Sequence, residues 1–444
     1  MNYTIVGAAR SGYASAVLAK QLGHEVFLPE SRKAEEFGET VSSLIQSGID
    51  FEFGGNTEKA LSSAQCIITS PGVSPNAWII KEAEKSKIPI ISELEFAWKN
   101  MKNPFIAITG TNGKTTTTTL TAYILQKSGK RAIACGNIGT PISSLVGKIY
   151  DDTIIVAEVS SFQLDRIQNF KPDVSVILNI TPDHLYYHGS MENYVEAKWK
   201  IFSNQNEKDL LILNADDAAT SEILPQVNIK KAFFSMNPVE YGVFNDGGKM
   251  ILRFPDNNKE EEIMLFDEIH LPGVHNAYNS MAAALAARAF EIRNEDIRDS
   301  LASFEGVEHR LEFVRKIDDI EFINDSKATN INATWYALSS YKKPIVWIAG
   351  GRGDNNNYSE LNELVAKNVK CIVSIGEESE AIFNHFCTMV RCIKSNSLED
   401  AVSQAYHQTE PGDVVLFTPA CKSFDMFMNY EHRGEVFKEI VLSL

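Results

Sequence analysis

Short apolar runs alternate with amphipathic runs along almost the whole chain. The first unit reads Y-T-I-V-G, then the helical pattern S-G-Y-A-S-A-V-L-A-K-Q-L-G, then E-V-F-L-P-E. Such alternation is typical of βαβ units, in which helices connect the parallel strands of one sheet. The pattern therefore predicts an α/β protein built on parallel sheets.

The alternation forms three blocks, and 444 residues exceed what one hydrophobic core usually serves. We expect a Rossmann-like domain over residues 1–100, a central P-loop ATPase-like domain over 101–308 and a second Rossmann-like domain over 309–444. Residues 100–104, N-M-K-N-P, have the composition of a linker. Between about 231 and 270, short alternating runs broken by N-D-G-G and P-D-N-N predict a small antiparallel sheet beside the parallel one.

Composition narrows the class of protein. The net charge of −16 argues against general binding to nucleic acid or to an anionic membrane. The six cysteines are scattered without a C-x-x-C pair, which is typical of reduced thiols that serve as packing residues. The chain enters a strand at once, so we expect no signal peptide, and no apolar run approaches the length of a membrane span. These features predict a cytoplasmic enzyme.

The stretch I-T-G-T-N-G-K-T-T-T-T-T-L joins a strand to a helix through a glycine turn. Such a turn presents backbone N–H groups and the positive end of the helix dipole to an anion. Lys114 would lie over the β- and γ-phosphates of a nucleotide, and the Thr115 hydroxyl would reach Mg²⁺. The alternative is an ordinary turn capped by threonines, but five threonines stabilise a helix poorly. The pattern favours a shortened phosphate-binding loop, in which Ile108 replaces the first glycine of the full motif.

Polar residues follow two later strands of the same block. Glu158 ends the apolar run T-I-I-V-A-E, where a carboxylate can hold Mg²⁺ beside a phosphate-binding loop. The next strand is predicted to end at His184, in L-N-I-T-P-D-H, and Lys198 follows on a helix, in Y-V-E-A-K-W-K. A histidine at a strand end is more often structural, and a lysine beside Trp199 can simply cover apolar surface. From spacing alone, neither residue receives a role.

The first loop of the chain, V-G-A-A-R-S-G, has the outline of a dinucleotide-binding fingerprint with Ala9 in place of its middle glycine. Without that glycine the backbone approaches a pyrophosphate less closely. The sequence therefore disfavours NAD. It leaves open another phosphate-bearing ligand or a plain turn between strand and helix.

Two strand ends near the C-terminus combine ammonium and hydroxyl groups. I-N-D-S-K-A-T-N places Ser326, Lys327 and Thr329 after one strand, and T-P-A-C-K-S-F-D places Lys422 and Ser423 after another. Such groups together can bind a small carboxylate. A capped helix start is the alternative.

In this order the motifs resemble those of the Mur ligase family, ATP-dependent enzymes that form amide bonds in peptidoglycan precursors. The resemblance covers the whole chain and rests on G-T-N-G-K-T-T, E-V-S-S-F-Q-L, H-N-A-Y-N-S-M-A-A-A, E-H-R-L-E, N-D-S-K-A-T-N and S-F-D-M-F followed by E-H-R-G. N-D-S-K-A-T-N and P-A-C-x-S are the more selective motifs. They resemble the branch that adds D-glutamate to UDP-N-acetylmuramoyl-L-alanine (UDP-MurNAc-L-Ala).

The resemblance implies roles for individual residues. Lys114, His184 and Lys198 are implied to be catalytic, with Lys198 carbamylated by CO₂. The residues implied to bind two Mg²⁺ ions are Thr115, Glu158, His184 and carbamylated Lys198. Those implied to bind ATP are Gly110, Thr111, Asn112, Gly113, Lys114, Thr115, Thr116, Asn276, Asn279, Arg310 and Asp325. Those implied to bind the uridine nucleotide are Ser11, Ser31, Arg32, Gly72, Asn137 and Ser160. Those implied to bind D-glutamate are Lys327, Thr329, Ser423 and Phe424.

The implied reaction has two steps. The terminal carboxylate of UDP-MurNAc-L-Ala attacks the γ-phosphate of ATP to give an acyl phosphate and ADP, and the amine of D-glutamate then displaces phosphate. We also expect a hinge near Gly306 to Arg310, which lets the C-terminal domain close. The expected enzyme is a monomer with no nucleic-acid partner and no membrane insertion.

One position departs from the resemblance. Asp354 stands where close relatives often have a lysine near the incoming amino acid, and Arg352 is a candidate to replace it. The alternatives are a Mur-type ligase for another amino acid and a folylpolyglutamate-type ligase. The folate enzymes generally lack an α/β unit before the phosphate loop, and this chain has one. A nucleotide-dependent switch that catalyses no reaction would give no function to the lysine-containing motif N-D-S-K-A-T-N.

Overall fold

The protein is described by a computed structural model, which divides it into two compact units, Met1–Phe304 and Glu305–Leu444. The boundary falls one residue before Gly306, where the sequence predicts a hinge. The α/β class with mostly parallel sheets is confirmed. Among the described residues no helix is both long and apolar enough to cross a membrane. The structure describes residues 1–223, 228–254, 259–271, 273–353 and 356–444.

The first unit begins with a parallel sheet in the order β3-β2-β1-β4-β5. Buried apolar side chains cover both of its faces, as expected when helices flank a parallel sheet. Its strands are β1 (Asn2–Val6), β2 (Glu25–Glu30), β3 (Asp50–Phe53), β4 (Cys66–Thr69) and β5 (Ile90–Ser92). Its helices are α1 (Arg10–Gln21), α2 (Gly38–Gln46), α3 (Lys59–Ser62), α4 (Trp78–Lys85) and α5 (Glu93–Lys99).

The same unit contains a larger sheet in the order β14-β13-β12-β11-β10-β9-β6-β8-β7. Residues 100–104 connect α5 to it without helix or strand. Its strands are β6 (Phe105–Thr109), β7 (Ala132–Gly136), β8 (Ile154–Glu158), β9 (Val174–Ile177), β10 (Leu210–Asn214), β11 (Lys230–Ser235), β12 (Gly242–Asp246), β13 (Lys249–Arg253) and β14 (Glu260–Leu265). Its helices are α6 (Lys114–Lys127), α7 (Ser161–Asp165), α8 (Leu185–His188), α9 (Met191–Trp199), α10 (Ala218–Ile223), α11 (Val274–Arg288) and α12 (Asn294–Leu301).

The predicted antiparallel strands are present, but the prediction that they form a sheet of their own is wrong. β11 pairs in parallel with β10, and β12 pairs in parallel with β11, with Phe233 opposite Gly242. Among the described strands of this sheet, only the β12–β13 and β13–β14 pairs are antiparallel. The alternating pattern identifies antiparallel strands but does not show which further strand they pair with. The open edge of β11 offers unpaired N–H and C=O groups, and β12 satisfies them, so one continuous sheet results.

The second unit has a sheet in the order β15-β16-β20-β17-β18-β19, and its β15–β16 pair is antiparallel. Buried clusters on the two faces form its core. Its strands are β15 (Glu312–Ile317), β16 (Ile320–Asn324), β17 (Ile345–Gly350), β18 (Val369–Ile375), β19 (Arg391–Lys394) and β20 (Val414–Phe417). Its helices are α13 (Ile331–Ser339), α14 (Asn362–Asn368), α15 (Ser379–Phe386), α16 (Leu398–His407) and α17 (Tyr430–Ser443).

Candidate functional site

The predicted phosphate loop joins the end of β6 to the start of α6, with Gly113 as the residue before the helix. Gly113 has φ +83°, and a Cβ there would lie 2.3 Å from Oδ1 of Asn279. Gly110 is also tightly enclosed, since a Cβ there would lie 2.9 Å from Cβ of Leu178. The two glycines therefore allow the loop to pack against the neighbouring strand end and against α11. The loop ends at a helix N-terminus, which is a suitable place for a phosphate.

Two asparagines hold this loop. The backbone N–H of Asn112 donates to Oδ1 of Asn179 at 2.8 Å, and Nδ2 of Asn179 donates to the carbonyl of Asn112 at 3.1 Å. On the other side, Oγ1 of Thr117 donates to Oδ1 of Asn279 at 3.2 Å, and Nδ2 of Asn279 donates to Oδ1 of Asn276 at 3.2 Å. The sequence interpretation missed Asn179. Its position just after an apolar strand, in L-N-I-T-P-D-H, is a signal that could have identified it.

Two lysines converge on one carbonyl oxygen of the loop. Nζ of Lys114 donates to the carbonyls of Gly110 at 2.9 Å and Thr111 at 2.7 Å. Nζ of Lys198, on α9, donates to the same Gly110 carbonyl at 2.7 Å, and the side chain is 1% exposed. Burial, and secondly the charge of Lys114, lower the pKa of Lys198 well below its ordinary value. The Lys198 amine is therefore far more readily neutral than a surface lysine.

Glu158 ends β8 beside this pair and is 3% exposed. One carboxylate oxygen accepts from Oγ1 of Thr115 at 2.7 Å, and the other accepts from Nδ2 of Asn137 at 3.0 Å. No group of three His, Cys, Asp or Glu in the described residues is arranged to hold a metal ion. Mg²⁺ bound with a nucleotide usually takes one or two protein oxygens, with phosphates and waters completing its shell. The adjacent carboxylate and hydroxyl fit such an ion.

The prediction that His184 ends a strand is wrong. β9 ends at Ile177, and His184 has φ +52° as the residue before the short helix α8. The segment T-P-D-H forms the connecting loop instead, because its proline and aspartate favour a turn. Nε2 of His184 lies 3.5 Å from Oδ2 of Asp183. Burial lowers the pKa of His184 and outweighs the opposite effect of Asp183. Neutral imidazole, which can bind a metal or orient a neighbour, is therefore favoured.

Four predicted uridine-nucleotide residues lie at one edge of the first sheet. They follow β1, β2 and β4, which are neighbours in the order β2-β1-β4. Glu30, at the end of β2, accepts from the backbone N–H of Ala8 at 2.9 Å and from Nε of Arg32 at 3.1 Å. In NAD-binding proteins a carboxylate at this position binds the ribose. Here the carboxylate of Glu30 is hydrogen-bonded to groups of the protein itself. The four residues are Ser11, Ser31, Arg32 and Gly72.

The other two predicted uridine-nucleotide residues belong to the larger sheet. Asn137 is exposed just after β7, and its backbone N–H donates to the carbonyl of Glu158 at 2.9 Å. Ser160 is buried at the N-terminus of α7, where its hydroxyl accepts from the N–H of Gln163 at 3.3 Å. Asn137 is thus exposed but hydrogen-bonded to Glu158 through Nδ2, while Ser160 mainly caps a helix.

The second unit contains the remaining predicted ATP residues, Arg310 and Asp325. Asp325 is 2% exposed, with Oδ1 accepting from the N–H of Leu311 at 3.2 Å and Oδ2 accepting from Oγ1 of Thr418 at 2.9 Å. Burial raises the pKa of Asp325 to about 6, although the charge of Arg310 acts in the opposite direction. Asp325 thus fixes the start of the loop after β16.

The predicted amino-acid residues lie on two loops of this unit. Lys327 and Thr329 follow β16, and Nζ of Lys327 is 5.5 Å from the centre of the Tyr430 ring. Ser423 and Phe424 follow β20; the serine is buried, and the phenylalanine is 59% exposed. Because β16 and β20 are neighbours with parallel register, the two loops lie at the same edge of the sheet.

Arg352, the candidate to replace the missing lysine, forms an ion pair with Glu377 in the structure. Nε and Nη2 of Arg352 donate to the two carboxylate oxygens of Glu377 at 3.1 and 2.9 Å. This bidentate pair occupies the guanidinium in the structure. Asp354 lies outside the described residues.

The fold and the site define a class of protein. A family profile described as "Mur ligase middle domain" matches residues 108–287, and one described as "Mur ligase, glutamate ligase domain" matches residues 309–421. The chain belongs to the Mur ligase family. It is 43% identical to the UDP-N-acetylmuramoylalanine--D-glutamate ligase of Salinibacter ruber, over 99% of this chain and 97% of that one. It is 42% identical to the ligase of the same name from Acidobacterium capsulatum, over 99% and 95%.

Solved structures share this fold. A UDP-N-acetylmuramate-alanine ligase from Thermotoga maritima aligns with a TM-score of 0.63 at 20% identity, covering 100% of this chain and 99% of that one. A MurF ligase from Thermotoga maritima in complex with ADP aligns with a TM-score of 0.59 at 18% identity, covering 94% and 95%. At these identities the likeness shows the fold alone.

Proposed function

We propose that this chain is an ATP-dependent ligase that adds D-glutamate to UDP-MurNAc-L-Ala in the synthesis of peptidoglycan precursors. The observation that carries the proposal is the convergence of Lys114, Lys198, Glu158 and Thr115 on the glycine loop. It occurs in a chain 41–43% identical, over nearly its whole length, to ligases named for that reaction.

The first step joins two anions, and the loop supports it electrostatically. A carboxylate approaching a phosphate at ~4 Å costs about 4 kcal/mol at an effective dielectric of ~20. The amine of Lys114 donates to the carbonyls of Gly110 and Thr111. We propose that it exchanges these carbonyls for the β- and γ-phosphate oxygens of ATP. Its charge then lowers the repulsion while the substrate carboxylate attacks the γ-phosphate.

Thr115 and Glu158 are the residues that would hold Mg²⁺, with His184 and carbamylated Lys198 completing sites for two ions. Bound Mg²⁺ neutralises charge on the transferring phosphoryl group. The hydroxyl of Thr115 and the carboxylate of Glu158 are 2.7 Å apart, so the two oxygens are already adjacent. The adjacency of these two oxygens supports the proposed Mg²⁺ site beside the nucleotide.

The carbamate on Lys198 is part of the proposal. Its formation needs a neutral amine, which adds to CO₂ and releases one proton. Burial and the nearby Lys114 favour that neutral amine. Carbamylation would replace the buried neutral amine by an anionic oxygen ligand, which the charge of Lys114 attracts. The carbamate would supply an oxygen ligand for Mg²⁺ from a lysine, whose own amine is not such a ligand.

For the second step, Lys327, Thr329, Ser423 and Phe424 are proposed to hold D-glutamate while its amine attacks the acyl phosphate. Ammonium and hydroxyl groups on neighbouring loops suit the two carboxylates of this amino acid. Because Arg352 pairs with Glu377 in the structure, the proposal assigns the carboxylates of the amino acid to the other polar groups of these loops. The identity of the amino acid is therefore the part that experiment should test first.

The proposed division of labour follows the three sheets. We propose that residues 1–100 bind the uridine nucleotide, 101–308 bind ATP and 309–444 bind the amino acid. The enzyme would act as a monomer in the cytoplasm, where ATP and uridine nucleotides are available.

The test is ADP formation with a panel of amino acids. With ATP, Mg²⁺ and UDP-MurNAc-L-Ala present, we expect D-glutamate to support ADP release, and L-glutamate, L-lysine and diaminopimelate not to do so. Omitting UDP-MurNAc-L-Ala is the control, and a reduced folate in its place tests the folate-ligase alternative. Turnover with a different amino acid would correct the substrate. Absence of any amino-acid-dependent ADP would contradict the ligase.

A further inference from the structure

Arg433, in the first turn of α17, is a charged side chain that the proposed reaction does not yet use. It is 1% exposed, and its Cζ lies 5.9 Å from the centre of the Phe417 ring. Burying a guanidinium is costly unless its donors are satisfied. We therefore expect the buried guanidinium of Arg433 to hold specific groups in place.

The guanidinium is satisfied by the loops that follow two strands. Nε donates to Oγ of Ser326 at 3.0 Å, and Nη2 donates to the carbonyl of Ser326 at 2.7 Å. Nη1 donates to the carbonyl of Cys421 at 3.0 Å. Ser326 precedes Lys327 after β16, and Cys421 lies two residues before Ser423 after β20. One side chain therefore joins the two loops that carry the proposed amino-acid residues.

A third loop lies against the same group. Gly351 follows β17 with φ +133°, and a Cβ there would lie 3.1 Å from Nη1 of Arg433. The strands β16, β20 and β17 are neighbours in the sheet, so their loops meet at one edge. Arg433 thus contacts all three loops, and it does so from the N-terminal end of the helix that closes the chain.

Arg433 lies within electrostatic range of the carboxylates of Asp425 and Asp325, which partly offset its charge. Its three acceptors are two carbonyls and a hydroxyl; among the residues that the structure describes, none is a carboxylate. Burial lowers the pKa of Arg433 to about 10, so the group is still charged at neutral pH. Because its hydrogen-bond acceptors are neutral, the part of its charge that Asp425 and Asp325 leave uncompensated raises the positive potential around the loops it touches. That potential favours an anionic amino acid over a neutral one.

We propose that Arg433 is a positioning residue for the amino acid: it holds the Ser326, Gly351 and Cys421 loops in register and supplies positive potential for an anionic substrate. This inference rests on the proposed function, since it assigns the pocket to those loops. Arg433 itself acts through its neighbours, because its donors are already occupied.

Steady-state kinetics of two variants test the inference. Arg433→Lys keeps the charge but cannot reach all three acceptors, and Arg433→Met removes the charge as well. We expect the KM for D-glutamate to rise about tenfold in Arg433→Lys and about a hundredfold in Arg433→Met. The KM values for ATP and UDP-MurNAc-L-Ala should stay within about twofold. A general loss of structure would instead change all three KM values or the active fraction.

The matched control is Arg315→Met. Arg315 also donates to a carbonyl on α17, that of Leu442 at 3.0 Å, but at the exposed far end of the helix. We expect this variant to keep the wild-type KM for D-glutamate. If either Arg433 variant fails to fold, Ser326→Ala, which removes the hydroxyl that accepts from Arg433 and donates to the carbonyl of Tyr430, should raise the same KM by a smaller factor.

The outcomes separate this inference from the proposed function. If wild-type enzyme forms no ADP with D-glutamate, the proposed substrate is wrong, and the KM of the amino acid that does support turnover becomes the measured quantity. If wild-type enzyme uses D-glutamate and folded Arg433→Lys, Arg433→Met or Ser326→Ala shows an unchanged KM for it, the role of Arg433 is overturned. Equal rises in all three KM values would also overturn it.

Discussion

Lys114 and Lys198 bring two amines to the carbonyl oxygen of Gly110, at 2.9 and 2.7 Å. Two ammonium groups at such a short separation in a buried site repel each other, and the more buried one loses its proton more easily. The structure therefore favours a charged Lys114 and a neutral Lys198. A neutral buried amine is the form required for carbamylation.

Replacing Lys198 tests that assignment. We expect Lys198→Ala to lower kcat by about 10²–10³-fold, since the variant cannot form the proposed carbamate ligand of the phosphoryl-transfer site. Added formate or acetate should restore part of the rate by supplying carboxylate oxygens. Lys200→Ala is the control, because Lys200 pairs with Asp165 at 2.6 Å near the surface. Undiminished kcat in Lys198→Ala without added acid would remove its role.

Glu93 provides a prediction about stability. It is 1% exposed at the start of α5; Oε1 accepts from the N–H of Ser143 at 2.7 Å, and Oε2 is buried without a hydrogen-bond partner among the described residues. Burial raises the pKa of Glu93 above its ordinary value of 4.5. The folded state then holds a proton that the unfolded state releases, so the free energy of unfolding falls as pH rises from 4.5 towards the raised pKa.

The variant Glu93→Gln keeps the acceptor for Ser143 and cannot ionise. We expect it to be more stable than the wild type at pH 8, with the difference shrinking as pH falls towards 4.5. Urea denaturation at several pH values measures this, with Glu39→Gln on exposed α2 as the control. A constant difference at all pH values would show that Glu93 is not protonated in the folded state.

Single residues differ in how far the sequence identifies them. Glu158 could be predicted, because a carboxylate directly after an apolar strand of a P-loop block is a local signal. Lys198 received a role only from the family resemblance, since burial against Gly110 depends on a contact 88 residues away. Arg433 belongs to the E-H-R-G motif of the resemblance but received no role, because its Ser326 acceptors lie 107 residues away in the sequence.

At the scale of elements, helix α6 is bounded by two glycines with similar backbones but different surroundings. Gly113 before the helix has φ +83° and would place a Cβ 2.3 Å from Asn279, whereas Gly129 after it has φ +87° and no atom within 4 Å of that position. Both backbone conformations disfavour other residues. Only Gly113 also needs close contact with α11.

Alanine substitutions at these glycines separate strain from packing. Gly129→Ala should lower the free energy of unfolding by about 1–2 kcal/mol and leave ATP affinity unchanged. Gly113→Ala should cost about 1–3 kcal/mol more and weaken ATP binding at least tenfold, since the loop must move away from Asn279. Denaturant unfolding and calorimetric titration with ATP measure both effects. Equal ATP affinity in the two variants would contradict the packing argument.

Elements were predictable where their pattern is local. The runs that became β6, α6 and α11 have clear periodicity, and the structure places them as expected. The pairing of β12 with β11 was not predictable, because a strand's own alternation does not specify its neighbour. The connection at His184 was misread for a related reason: an apolar run followed by polar residues does not show where the strand stops.

For the whole molecule, each of the three sheets places candidate residues after the carboxyl ends of its parallel strands. This is where ligands bind in open α/β sheets, because loops from neighbouring strands meet there. The α/β class and three blocks follow from the sequence, but the order of strands does not. That order decides which loops become neighbours, and hence which residues form each candidate pocket.

The central claim is that the substrate carboxylate is phosphorylated before it is coupled. Its direct test uses UDP-MurNAc-L-Ala with ¹⁸O in the alanine carboxylate, together with ATP, Mg²⁺ and D-glutamate. An acyl phosphate transfers one carboxylate oxygen to the phosphate released, so mass spectrometry should find one ¹⁸O in each inorganic phosphate and ADP as the other product. Phosphate without ¹⁸O, or AMP in place of ADP, would contradict the account.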